Sequence, residues 1–258
     1  MCKALGISRG SYYYETKDKP DESVLEAEII QVFTDNRKGY ETRKIKSTLS
    51  QKVSRRKIGQ VVKKYQLEPV YSKKKFKIHK TPVNESPIKN VLRCQFKDRN
   101  PLEAIVTDLT YDNVNGVWHY VYLMLDLFNR EMIGCVVEEH KDAVLVKQAI
   151  GTIPYNCAEI LYFQTVLGNE FANKIVDDFL EAFEITRSLS EKGIPYDNAV
   201  AESTYKSFKA EFIYQEKFHT LRELEVKTLD FINWWNTKRV HGTLNHKTPP
   251  QLRAEVYV

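Results

Sequence analysis

The sequence predicts a mixed α/β sheet with helices on its faces, preceded by a small all-α unit of helix-turn-helix shape. Three observations carry this. Three apolar runs at 105–111, 117–127 and 131–138 are separated by tight turns, and strand–helix alternation follows them. Before them, apolar residues recur at helical spacing between 21 and 65. Charge divides along the same line: residues 1–100 hold 24 Lys and Arg against 11 Asp and Glu, whereas 101–258 hold 15 against 23. A basic first half joined to an acidic second half suggests polyanion binding beside a carboxylate-bearing domain, although a solvated basic surface has the same composition.

With 258 residues, 42% hydrophobic and 28% charged, the chain has room for one sizeable core and a smaller domain. No apolar run approaches the roughly 18 residues of a membrane span, and the start has no signal-peptide pattern. Cysteines at 2, 94, 135 and 157 form no CxxC pair. A zinc site or disulfide framework is therefore not expected, and a cytoplasmic location is.

Residues 1–14, with Gly6-Ile7-Ser8, have the form of the second half of a helix-turn-helix. Residues 21–67 are expected to form a helical DNA-binding domain. Leu25, Ile29, Val32 and Phe33 fall on one helical face, Ile45 and Leu49 mark a second helix, and Ser54 caps a third with Ile58, Val61, Val62 and Tyr65 inward. The outer positions of the third helix carry Arg55, Arg56, Lys57, Lys63 and Lys64, the candidate contacts to DNA. Solvated lysines on a three-helix packing unit are the alternative. Residues 68–100 lack periodicity and include Lys73, Lys74 and Lys75, which reads as a basic linker able to follow a phosphate backbone.

An α/β core is expected over 101–215. Asn115-Gly116 is a hairpin turn, Phe128-Asn129-Arg130 a second turn, and Asp142 caps a helix through Ile150. Residues 160–163 make a fourth strand. A helix over 170–183 carries Phe171, Ile175, Phe179 and Phe183 along one side, and a strand follows at 184–189. Asp197 is the expected cap of a helix holding Val200, Tyr205, Phe208 and Phe212. The segment 216–258 is a C-terminal helix and tail, opened by the capping box Thr220-Leu221-Arg222-Glu223, with Leu221, Leu224, Phe231, Ile232 and Trp235 on one face.

Two carboxylates carry chemical information. Asp108 lies within an apolar strand, where a carboxylate is costly unless it is paired or binds a cation. Glu202 sits in the first turns of its helix, with Lys209 two turns further along the same stripe. That stripe suits a metal ligand beside a phosphate-facing ammonium, though a lone Glu on an amphipathic helix is more often merely exposed.

Thr107-Asp108-Leu109-Thr110-Tyr111, Gly168-Asn169-Glu170-Phe171, Tyr196-Asp197-Asn198-Ala199-Val200-Ala201-Glu202-Ser203 with Lys209, and Trp235-Asn236-Thr237-Lys238-Arg239-Val240-His241 before Pro249-Pro250 stand in this order along the chain. Together they resemble bacterial insertion-sequence transposases of the OrfB type, whose DDE catalytic core is retroviral-integrase-like and ribonuclease-H-like in fold. The resemblance implies a DNA transposase acting on insertion-sequence ends and target duplex. It also implies Mg2+ or Mn2+ as cofactor, and a homo-oligomer or association with an upstream reading-frame product. Asp108 and Glu202 take the first and last positions of the carboxylate triad. Counting back 35 residues from Glu202 reaches position 166, where the family has its second Asp and this chain has Val166. Two remaining carboxylates are expected to hold one ion weakly and not to position a pair, with a loss on the order of 10⁴-fold in activity. Glu170, Asp177 and Asp178 are the acids in the chain that could substitute. Arg239 and His241 are further candidates for DNA contact, with a loop position as the alternative for His241. A non-catalytic protein that occupies transposon ends or inhibits active transposase is the competing reading.

Overall fold

The computed structural model describes residues 22–72, 88–165, 174–190 and 198–256, together with Cys2, Gly6, Ser8, Tyr12 and Tyr13. The half-motif expected over 1–14 thus lies largely outside the described residues.

Three helices open the described chain: α1 (Ser23–Asp35), α2 (Thr42–Thr48) and α3 (Arg55–Lys64). Ser54 caps α3, its hydroxyl accepting from the Lys57 N–H at 3.2 Å. Ile29, Phe33, Tyr40, Ile45, Ile58 and Val61 form their shared core, and Val240 from near the other end of the chain packs against it.

The sheet has five strands: β1 (Ala104–Val114), β2 (Val117–Asp126), β3 (Met132–Glu138), β4 (Tyr162–Thr165) and β5 (Thr186–Leu189). Their order is β3-β2-β1-β4-β5. The first three are antiparallel, β4 is parallel to β1, and β5 is parallel to β4. With helices on both faces, this is the ribonuclease-H-like arrangement. The β1–β2 turn follows from its sequence, because Asn115 and Gly116 both take positive φ, 50° and 91°, as a hairpin turn matched to strand twist requires.

Successive residues of β1 face opposite layers. Ala104 and Val106 join Val121, Leu123 and Leu125 under α6 (Ala199–Glu211) and α7 (Leu221–Thr237). Ile105 joins Tyr122 and Met124 against α4 (Ala143–Ile150) and α5 (Lys174–Ala182). Asp142 caps α4 as expected, its Oδ1 accepting from Val144 and Leu145 N–H groups. Gly134 lets α4 lie close, since a Cβ there would stand 3.1 Å from the Ala149 carbonyl.

The inward face of α5 differs from the expected one. Val176 and Leu180 are buried, while Ile175 and Phe183 are 41% and 39% exposed. The aromatic stripe and the Val176/Leu180 stripe are adjacent at the same helical spacing, and of the described aromatic-stripe residues Phe179 packs against the core beside Val176 and Leu180. Phe179 and Phe183 pack on each other at the flank, centroids 4.9 Å apart; Phe171 lies outside the described residues.

Both described ends of the 68–100 segment are anchored. The Val70 N–H donates to the Lys38 carbonyl at 3.0 Å, and the Val91 N–H donates to the Ser188 hydroxyl at 2.8 Å. Leu92 is buried in the core. At the C-terminus, α8 (Pro249–Ala254) returns to the sheet. Its Arg253 bonds the buried Asp126 at 2.9 Å and Glu131 at 2.8 Å.

Candidate active site

Asp108 stands on the even-numbered face of β1, beneath α6. A buried tyrosine makes the join. The Tyr205 hydroxyl accepts from the Leu123 N–H at 2.7 Å and donates to the main-chain carbonyl of Asp108, with the Leu123 carbonyl also in reach at 3.2 Å. Leu123 is the residue opposite Asp108 in the β1–β2 register. One hydroxyl therefore ties α6 to both central strands at the level of Asp108. Burial, with the charge of Asp108 second, pushes the Tyr205 phenol well above its usual range, so it stays protonated. The sequence shows Tyr205 only as one more apolar position of a helix face; no local signal marks its hydroxyl.

Glu202 and Lys209 flank Tyr205 along α6. Glu202 has no hydrogen-bond or ion-pair partner among the described residues, and partial burial raises its carboxyl pKa. Lys209 is half-buried, its ammonium 5.6 Å from the Tyr111 ring centroid. Burial lowers its pKa and the negative charge of Asp108 partly restores it, so the two side chains share one electrostatic environment. Strand β4 ends at Thr165, the residue before Val166 in the chain, and its Gln164 pairs with Val106 of β1. Val166 and Glu170 lie outside the described residues. Among the described residues, no three His, Cys, Asp or Glu side chains gather as a metal site would need. Asp177 instead accepts from Arg187 at 3.1 Å.

Two models, each described as an integrase core domain, match residues 98–195 and 184–249. The putative transposase InsK for insertion element IS150 of Escherichia coli (strain K12) is 26% identical over 266 residues, covering 100% of this chain and 94% of that protein. The transposase for insertion element IS904 of Lactococcus lactis subsp. lactis (strain IL1403) is 26% identical over 242 residues, covering 91% and 95%. This chain belongs to the bacterial insertion-sequence transposases. Among solved structures, the trimeric HTLV-2 integrase catalytic core domain in complex with magnesium aligns at 15% identity with TM-score 0.45, over 59% of the transposase and 96% of that chain.

The cations expected to meet DNA divide into two groups. In the transposase, Arg55, Arg56 and Lys63 are exposed. Lys57 is paired with Glu22, and Lys64 bonds both carboxylate oxygens of Glu26 at 2.7 Å. Lys73, Lys74 and Lys75 lie outside the described residues.

Arg239 is a correction. It is 6% exposed, and its guanidinium grips Glu211 of α6 in a fork, Nε to Oε2 at 2.8 Å and Nη2 to Oε1 at 2.7 Å. Its Cζ stands 4.1 Å from the Trp235 ring centroid. A guanidinium satisfied this way inside the protein is not offered to phosphate. His241 is likewise internal: Arg239 Nη1 donates to its Nδ1 at 3.2 Å, which leaves the proton on Nε2, facing the Trp235 carbonyl at 3.5 Å. The Tyr71 hydroxyl donates to Glu211, and the Val240 N–H donates to the Tyr40 hydroxyl at 2.8 Å. The C-terminal motif thus fastens the N-terminal helices to the far end of the helix that bears Glu202. Among the described residues, no helix is long and apolar enough to cross a membrane.

Proposed function

We propose that this transposase binds insertion-sequence DNA but cleaves and transfers it poorly, because position 166 supplies no oxygen ligand. The observation that supports this reading is that Tyr205, three residues after Glu202 on α6, bonds the main-chain carbonyl of Asp108, while the residue following the adjoining strand end at Thr165 is a valine. A carboxylate pair of Glu202 and Asp108 would suit the oxygen preference of one hard divalent cation, Mg2+ or Mn2+, with water and substrate phosphate as its other ligands. When two such ions are bound, they stabilise the attacking and leaving oxygens of phosphodiester transfer; two carboxylates are too few to hold that pair. Lys209 meets a phosphate oxygen beside the site. Arg55, Arg56 and Lys63 contact duplex backbone from residues 21–67, which act as the DNA-binding domain of a core spanning 101–215.

The test is nicking of a labelled donor end with Mg2+ or Mn2+, comparing the unaltered chain with Val166→Asp. The variant is expected to be faster by about 10⁴-fold, the scale on which units of cooperating catalytic groups fail. Equal and robust nicking by both chains would sink the proposal. End-specific binding with no nicking by either would favour the non-catalytic DNA-binding alternative.

A further inference from the structure

An open cleft of about 330 Å³, away from the carboxylates, is lined by Arg43, Lys46, Ser47, Arg55 and His246. Arg43 and Lys46 are three residues apart on α2, one turn along a single face, and Arg55 opens α3. His246 belongs to a loop about two hundred residues later, closed by the His241–Lys247 bridge. Asn245 and His246 both take left-handed backbone angles there, φ 53° and 62°, and the Val240–Tyr40 hydrogen bond fixes the loop against the helices.

The charge in this cleft is unbalanced. Arg43, Lys46 and Arg55 are exposed and have no ion-pair partner among the described residues. On α3 itself, Lys57 and Lys64 are already neutralised by Glu22 and Glu26. His246 lines the cleft, and its Nδ1 is buried without a hydrogen-bond partner among the described residues. Cations held together repel until an anion joins them, and a guanidinium fork matches the geometry of phosphate oxygens. Lys52 and Arg56, close to Arg55 in the chain, are exposed as well, which makes more positive charge than a single small anion needs and suits a polyanion.

We infer that Arg43, Lys46, Arg55 and His246 form one seat for the phosphodiester backbone of duplex DNA, shared between the N-terminal helices and the C-terminal loop. The inference rests on the DNA-binding reading above and adds the seat and its second half. Neither half is complete alone: the helices supply the permanent charges, and the loop supplies the histidine that closes the cleft.

The experiment uses the full chain and a fluorescein-labelled random-sequence duplex, with affinity measured by anisotropy from about 50 to 200 mM salt. Arg43→Gln, Lys46→Gln and Arg55→Gln are each expected to reduce the slope of log affinity against log salt by about 0.9. His246→Asn should weaken binding about two- to tenfold at fixed salt, the scale of one hydrogen bond. Lys227→Gln, whose ammonium is paired with Glu216 and Glu223, should leave both unchanged. The slope is insensitive to any misfolded fraction, so a poorly folding variant still reports. Unchanged slopes in all three cation variants would overturn the seat while leaving DNA binding intact. Altered slopes with no effect of His246→Asn would overturn its sharing with the loop. No duplex binding by the unaltered chain would overturn this inference and the underlying reading together.

Discussion

The hydroxyl of Tyr205 donates to the main-chain carbonyl of Asp108 and accepts from the N–H of Leu123 on the neighbouring strand. The helix bearing Glu202 is thereby registered against the strand bearing Asp108 by one buried oxygen. Carboxylates that share an ion must be held to about half an ångström, and such precision comes from supporting groups like this one.

Removing that oxygen tests its role. Tyr205→Phe keeps the ring packed but leaves the buried Leu123 N–H without its tyrosine partner. It is expected to lower unfolding free energy by about 1–3 kcal/mol, read from urea midpoints at constant m. A variant as stable as the parent would show that the hydroxyl does not hold the strands and helix together.

The Arg239–Glu211 fork is buried on both sides, with side chains 7% and 1% exposed. Arg239→Ala is expected to cost about 3–5 kcal/mol, since Glu211 would be left as an uncompensated buried charge. Arg239→Lys should recover only part of this, because an ammonium cannot reproduce the two parallel bonds. Replacing both partners by Leu should cost less than Arg239→Ala alone. A double variant at least as destabilised as the single one would contradict this account.

Burial, reinforced by the Arg239 charge, holds the His241 pKa down at about 2, against an ordinary value of 6.5. The folded state therefore keeps His241 neutral while the unfolded chain takes up a proton. Stability from this residue is full above pH 6.5 and is lost as pH falls from there toward 2, by up to about 1.4 kcal/mol per pH unit. The stability difference between the parent and His241→Asn should shrink as pH is lowered from 7 to 5. A difference constant over that range would refute the assignment.

Metal affinity should follow the carboxylate count. Thermal unfolding with increasing Mn2+ is expected to rise slightly for the parent, more steeply for Val166→Asp, and not at all for Asp108→Asn combined with Glu202→Gln. Identical shifts in all three would place the ion elsewhere.

The sequence by itself determined what local geometry controls. The strand and helix order of the core, the Asn115-Gly116 turn and the Asp142 and Thr220 caps all depend on a few neighbouring residues; Thr220 does accept from the Glu223 N–H at 3.0 Å. The capping box is altered on its other side, where Glu223 accepts from His219 rather than from the cap residue itself. Asp108 stood out because a carboxylate is anomalous within its apolar strand, whereas Glu202 drew attention only through its stripe with Lys209 and the motif around it. Only the tertiary structure decided which face of α5 turns inward, because two adjacent stripes have equal periodicity. It alone showed that Lys57 and Lys64 are paired with glutamates and Arg239 is buried against Glu211, while Arg43 and Lys46 have no ion-pair partner among the described residues. A charge in a sequence says nothing about whether its counter-charge, 28 or 35 residues away, will fold to within bonding distance. The same holds for Tyr205, whose partner carbonyl lies 97 residues back along the chain. Long-range pairing is set by packing, and packing has no local signature.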